Sequence, residues 1–278
     1  MSIWRSLENI DRRWIYLLLA VVMVVPLIKP LGLPIDVVPE TRTVFETMDR
    51  LPPGSAVMVS FDFDPSAIPE LLPMGRAAII HAFKKNYRLV LFGNWTQGPM
   101  LAQDLAEPIA KKMGKEYGKD WVNLGYKPGG SVTIRRMVDD LWDGAANVDI
   151  KGNSLASLPI MSKIRKLTDI AVVFSCTVGG SGMQFWLEYL GQPNGVPITG
   201  GAVSVMVPGY MPYVNSGQFK GILMGLRGAA EYEMLVGAPD KAVAGMDAQS
   251  ASHLLVIVLI ILGNVGYWVQ RRAKAAQP

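Results

Sequence analysis

The stretch Asp169-Ile-Ala-Val-Val-Phe-Ser-Cys-Thr-Val-Gly-Gly-Ser-Gly-Met-Gln-Phe-Trp186 reads as strand, turn and helix. Residues 170–174 are a short unbroken apolar run rich in β-branched side chains, the mark of a strand buried on both faces. Residues 176–182 form the turn, and the helix follows over 183–190 with Ser181 as its expected cap. Strand, glycine turn and helix make the building unit of a parallel α/β sheet, and ligands sit where such strands end.

The same alternation extends to both sides. Upstream, strands are expected over 56–61 (AVMVSF), 88–92 (RLVLF) and 121–124 (WVNL). Between them, helices are expected over 41–51, 73–85 and 100–117, with another from Ser131, read as its cap. Residues 144–159 show no period beyond a short strand over 148–150, and a short helix over 160–167 leads into the quoted strand. Downstream, 192–201 reads as loop, 202–207 (AVSVMV) as strand, and 216–235 as one long helix. About 200 residues of this pattern give one Rossmann-like, three-layer α/β domain with a mostly parallel sheet.

The two ends differ in character. Residues 14–28 read WIYLLLAVVMVVPLI and 254–269 read LLVIVLIILGNVGYWV. Both runs are apolar all round rather than on one stripe, and each carries Trp and Tyr where a bilayer interface would lie. Arg5, Arg12 and Arg13 precede the first, and Arg271, Arg272 and Lys274 follow the second, whereas Asp36, Glu40, Asp240 and Asp247 lie on the inner flanks. The positive-inside rule then places both termini in the cytoplasm of a cell-membrane protein. The expected organisation is a cytoplasmic tail (1–13), a transmembrane helix (14–33), an extracytoplasmic α/β domain (34–250), a second transmembrane helix (251–269) and a cytoplasmic tail (270–278).

Composition narrows the chemistry. Half of the 278 residues are apolar and the net charge is only +4, with a basic group beside each apolar end and the other Lys and Arg residues scattered. That is not the footprint of a nucleic-acid protein. The single cysteine, Cys176, and two histidines spell neither a disulfide nor a metal site, so no metal and no cofactor is expected.

The expected ligand crevice gathers Asp62, Asp64, Asn94, Cys176, Thr177, Gly179, Gly180 and Ser181, which stand at or just beyond strand ends. Strand-to-helix turns need small and polar residues in any case, so the set supports the fold before it supports a site. The glycine turn matches neither the dinucleotide fingerprint nor the P-loop. Cys176 as a nucleophile lacks a base. Asn94-Trp95-Thr96 is a glycosylation triplet. Asp62-Phe63-Asp64, closing a first strand, resembles the opening motif of the haloacid-dehalogenase-like phosphohydrolases. That resemblance implies Asp62 as nucleophile and Asp64 as acid/base around Mg²⁺. It covers one turn only: Ser66 stands where that family has Thr or Val, and no later strand end carries the acidic pair it needs.

Gly217, Gly221 and Gly225 recur every fourth residue of the expected last helix. Four glycines or so in a helix cost about 1 kcal/mol each, and close approach to another backbone, in this chain or a neighbour, is the expected compensation. The function these observations favour is a non-catalytic subunit or interaction module of a membrane complex, with the lipid bilayer and protein partners, or a second copy, as its contacts. A small-ligand sensor using the crevice and a Mg²⁺-dependent phosphohydrolase are the rival readings.

Overall fold

The computed structural model describes residues 11–275. The chain separates into two compact units, one made by the terminal segments through Pro34 and from Val243, the other by Ile35–Ala242. Residues 1–10 and 276–278, with most of the expected N-terminal tail and Arg5, lie outside the described residues.

The central unit is built on six strands whose apolar, β-branched residues suit burial on both faces. They are β1 (Ala56–Asp62), β2 (Arg88–Gly93), β3 (Trp121–Tyr126), β4 (Val172–Thr177), β5 (Ile198–Ala202) and β6 (Leu223–Met224). Every pairing is parallel and the spatial order is β3-β2-β1-β4-β5-β6. From β1 the chain moves outward to β3, returns across β1 to β4, and then moves outward the other way. Right-handed crossovers therefore put the connecting helices of the two halves on opposite faces. Helices α2 (Pro39–Asp49), α3 (Ile68–Lys84), α4 (Gly98–Lys112) and α8 (Gly225–Val236) occupy one face. On the other lie α5 (Ser131–Asp139), α6 (Met183–Trp186, continued by a π turn over Leu187–Gly191) and α7 (Val207–Asn215). This is the Rossmann-like three-layer arrangement.

Strand period two sorts the core. Val57, Val59, Phe61, Phe174 and Cys176 point towards α3 and α8, where Phe174 meets Tyr232 at 5.6 Å between ring centroids. Met58, Val90, Phe92, Val122 and Val173 point the other way, onto Ile134, Met183 and Trp186.

Several expectations fail. The strand expected over 202–207 is β5, four residues earlier; Ser204–Met206 forms a 3-10 turn and Val205 is 85% exposed. The sequence of β5, ITGGA, has poor strand propensity, but Gly200 and Gly201 leave room for the Ser175 backbone and the Met74 side chain. Close packing overrides propensity there. The single helix expected over 216–235 is a turn, β6 and then α8. Gly217, Gly221 and Gly225 have φ of 75°, 76° and 56°, so they sit in left-handed turns and at a helix start rather than along a helix face. Ser131 and Ser181 are not caps; Gly130 and Gly182 hold those positions.

His81, near the end of α3, fastens three helices on one face. Its Nδ1 lies 2.9 Å from the Tyr232 hydroxyl on α8 and its Nε2 3.3 Å from Asp49 at the end of α2, while its ring stacks on Phe45. Those partners fit a neutral ring that carries its proton on Nε2, donates to Asp49 and accepts from Tyr232. Burial holds the imidazole pKa below its ordinary value, against the raising pull of Asp49. Below a pH of about 6.5 the unfolded chain binds the proton more readily than the native one. This contribution to stability is therefore present above that pH and is lost as pH falls from it through the native value. Urea midpoints at pH 7.5 and 5.5 should show the loss, and His81→Gln, which takes up no proton, should flatten it. An unchanged slope in His81→Gln would assign the pH dependence elsewhere.

The terminal unit contains α1 (Arg12–Ile28) and the greater part of α9 (Lys241–Ala275). Lys241–Val269 is the one helix among the described residues long and apolar enough to cross a membrane. α1 has 17 residues, about 25 Å at 1.5 Å per residue. After it, the backbone N–H groups of Leu31, Gly32 and Leu33 donate to the buried Asp247 carboxylate at 2.7, 2.9 and 3.2 Å. Asn264 donates to Ile260 carbonyl within its own helix.

Candidate functional site

The order of strands places the topological switch point between β1 and β4. At their carboxyl ends, Ser60 pairs with Ser175 and Asp62 with Thr177. These four are the buried polar residues of two otherwise apolar strands, and by period two all of them face α6.

Asp62 is the centre of the arrangement. Its Oδ1 accepts from Ser60 Oγ at 2.8 Å, Asn94 N at 2.8 Å and Asn94 Nδ2 at 3.1 Å. Its Oδ2 accepts from Ser175 Oγ at 2.7 Å and Trp186 Nε1 at 3.1 Å. Burial pushes the Asp62 pKa up, and the bonds from Asn94, Ser175, Ser60 and Trp186 pull against that shift. Five donors on two oxygens suit a carboxylate held by dipoles rather than by a cation.

Around it the turn after β4 folds back. Val178 N donates to the Asp62 carbonyl, and Gly182 lies where any Cβ would collide with the Thr177 side chain and approach Asp62 Cβ at 3.1 Å. The need for glycine at 182 is steric. Ser181 Oγ accepts from Trp95 Nε1 at 2.9 Å, joining this turn to the one after β2. The Gly179 carbonyl accepts from Tyr210 at 2.7 Å and from Thr177 at 3.3 Å; Gly180 is exposed.

The structure thus brings together Asp62, Asn94, Thr177, Gly179, Gly180 and Ser181. It separates the other two candidates from them. Asp64 turns away to accept from Ser66 N at 2.8 Å, which lowers its pKa. Cys176 projects to the opposite face, where burial pushes its thiol well above the ordinary range. Asn94 gives its amide nitrogen to Asp62, and its Oδ1 has no partner among the described residues. An amide nitrogen engaged in this way is not presented for glycosylation. Among the described residues no group of three or more His, Cys, Asp or Glu side chains is placed to hold a metal ion.

Sequence reasoning missed Ser60, Ser175 and Trp186. A signal was present for the serines: a polar residue two before each strand end, in both strands, marks a shared polar face. Nothing local marks Trp186, which reaches Asp62 from 124 residues away.

Gly217, Gly221 and Gly225 lie away from the switch point. Gly217 has open space around it, Gly221 lies against the Glu40 carbonyl and the Val44 N–H of α2, and Gly225 lies against Ser204 and Glu70. Set beside known protein families, curated proteins and solved structures, the chain matches none of them.

Proposed function

We propose that this chain is a membrane-anchored, extracytoplasmic α/β protein that serves as a non-catalytic subunit or interaction module of a membrane complex. The observation that carries this reading is the occupancy of the switch point by the protein's own side chains. Where α/β folds offer a ligand crevice, this one has a fully buried carboxylate with five internal donors. A phosphohydrolase nucleophile or a ligand-binding carboxylate needs an open side; Asp62 has no exposed surface. The membrane-length helix Lys241–Val269 supports anchorage, and the basic flanks Arg12, Arg13, Arg271 and Arg272 support two spans with cytoplasmic termini.

Extraction of the tagged full-length chain in mild detergent, followed by identification of co-purifying chains, tests the role. Stoichiometric partners or a self-assembled oligomer are expected; a chain recovered as a monomer without partners would remove the subunit reading. Reporter fusions at each terminus and within residues 144–159 test the topology. A C-terminus cleaved by protease added outside the cell would overturn it.

A further inference from the structure

The strand-end edge of the sheet differs from the rest of the central unit in what it shows to solvent. Met100 (61% exposed) follows β2, Tyr126 and Val132 (57%) lie at the end of β3, and Val205 (85%) follows β5. Val148, also exposed, lies beside them, its carbonyl accepting from Lys127. Of the large apolar side chains exposed on this unit among the described residues, Met234 alone lies away, in the last turn of α8. Half-buried Trp95 belongs to the same edge.

Charge follows the opposite pattern. The segments leaving the first five strands, 63–67, 94–97, 127–130, 178–182 and 203–206, contain Asp64 and Lys127 as charged residues, and Glu70, Arg135 and Arg227 stand near the starts of the helices that follow. The segments arriving at the strands carry Lys85, Lys115, Lys119, Arg165 and Lys166 among others. An edge with exposed Val and Met, Trp and Tyr nearby and isolated rather than clustered charges has the composition of a surface that meets the headgroup region of a bilayer.

We infer that the strand-end edge is a lipid-contacting surface, which seats Val205, Val132 and Met100 at the bilayer interface and holds the unit with its charged edge outward. The inference rests on the membrane anchorage proposed above. It adds an occupant for the edge: lipid, not a protein partner.

Full-length protein in lipid-only nanodiscs, with an environment-sensitive fluorophore at Val205→Cys, Val132→Cys, Lys119→Cys or Ile260→Cys, tests it. Cys176 is buried and stays unlabelled in the folded protein. Labels at 205 and 132 are expected to emit at shorter wavelength than the label at 119 and to lose intensity with headgroup-level nitroxide lipid. The label at 260 should be quenched by nitroxide deep in the acyl chains. Quenching at 260 with none at 205 and 132 would overturn the lipid-facing edge and leave anchorage standing, and protection of those sites only in native membranes would assign the edge to a protein. Absence of quenching at 260 would overturn both. Quenching at 119 in place of 205 would reverse the orientation and sink the inference.

Discussion

Asp62→Ala is expected to abolish the cooperative unfolding transition of the central unit or to lower its stability by about 4 kcal/mol or more. Of the five donors on this carboxylate, the Ser60 and Ser175 hydroxyls can rotate to other acceptors. Asn94 N, Asn94 Nδ2 and Trp186 Nε1 can only donate. Each donor left unpaired away from water costs about 1–3 kcal/mol, and a domain's whole stability is about 5–15 kcal/mol. Asp62→Asn should cost less. Its amide oxygen can keep the Asn94 bonds, and Ser175 can turn to accept from its nitrogen, but that nitrogen then faces Trp186 Nε1, a donor against a donor. Adding Trp186→Phe removes the clash, so the double variant should be less destabilised than the sum of the single changes. Urea denaturation of the four variants beside the unaltered protein reads the result. An unfolding midpoint unmoved in Asp62→Ala would show that the carboxylate is not a structural hub and would reopen the switch point to a ligand.

The parts of the fold that the sequence made legible are those where local preference and tertiary role agree. Residues 89–92 are apolar and 121–124 are apolar but for Asn123, and strands β2 and β3 begin where the pattern says. The quoted stretch is strand, turn and helix because its β-branched run fits a strand covered on both faces and Gly182 fits the crowded return beneath it. Legibility ended where backbone contact outranked propensity. The glycines of β5 read as loop because the reason for them, the Ser175 backbone and Met74, lies elsewhere in the chain. Gly217, Gly221 and Gly225 gave a helical spacing that in fact serves left-handed turns and a helix start, on either side of a two-residue strand. At the candidate site, a parallel sheet sets its strand ends on one edge, so the neighbourhood of Asp62, Asn94 and Thr177 followed from the strand assignments alone. That Asp62 would be sealed by Trp186 did not, because only the crossing of α6 over the switch point brings the two together.

Gly221→Leu is expected to lower the melting temperature of the protein by on the order of 10 °C, with Gly217→Leu as the informative comparison. Both glycines have left-handed backbone, φ 76° and 75°. Replacing either puts a side chain in a conformation that costs about 1–2 kcal/mol. Their surroundings differ. At Gly217 nothing lies within 4 Å of the added Cβ, so strain is the whole effect. At Gly221 the Cβ collides with the Glu40 carbonyl, and it stands 2.9 Å from Val44 N and 3.0 Å from Val44 Cγ2, so α2 must move away from β6. Backbone cannot yield as a side-chain tip can, and overpacking of this kind adds about 1–3 kcal/mol. At about 2–4 °C per kcal/mol for a domain of this size, the two terms together give the expected shift, and Gly217→Leu should show less than half of it. Gly221→Ala should already show most of the loss, because the obstruction is met at Cβ. The close approach is then a contact inside this chain, between the turn before β6 and the first turns of α2. Co-purifying partners should follow the amount of folded protein and no other trend. Equal shifts at 217 and 221 would mean that φ alone decides both sites and that the neighbouring helix gives way freely. A Gly221→Leu protein with unchanged melting but lost partners would instead move the contact to an interface between chains.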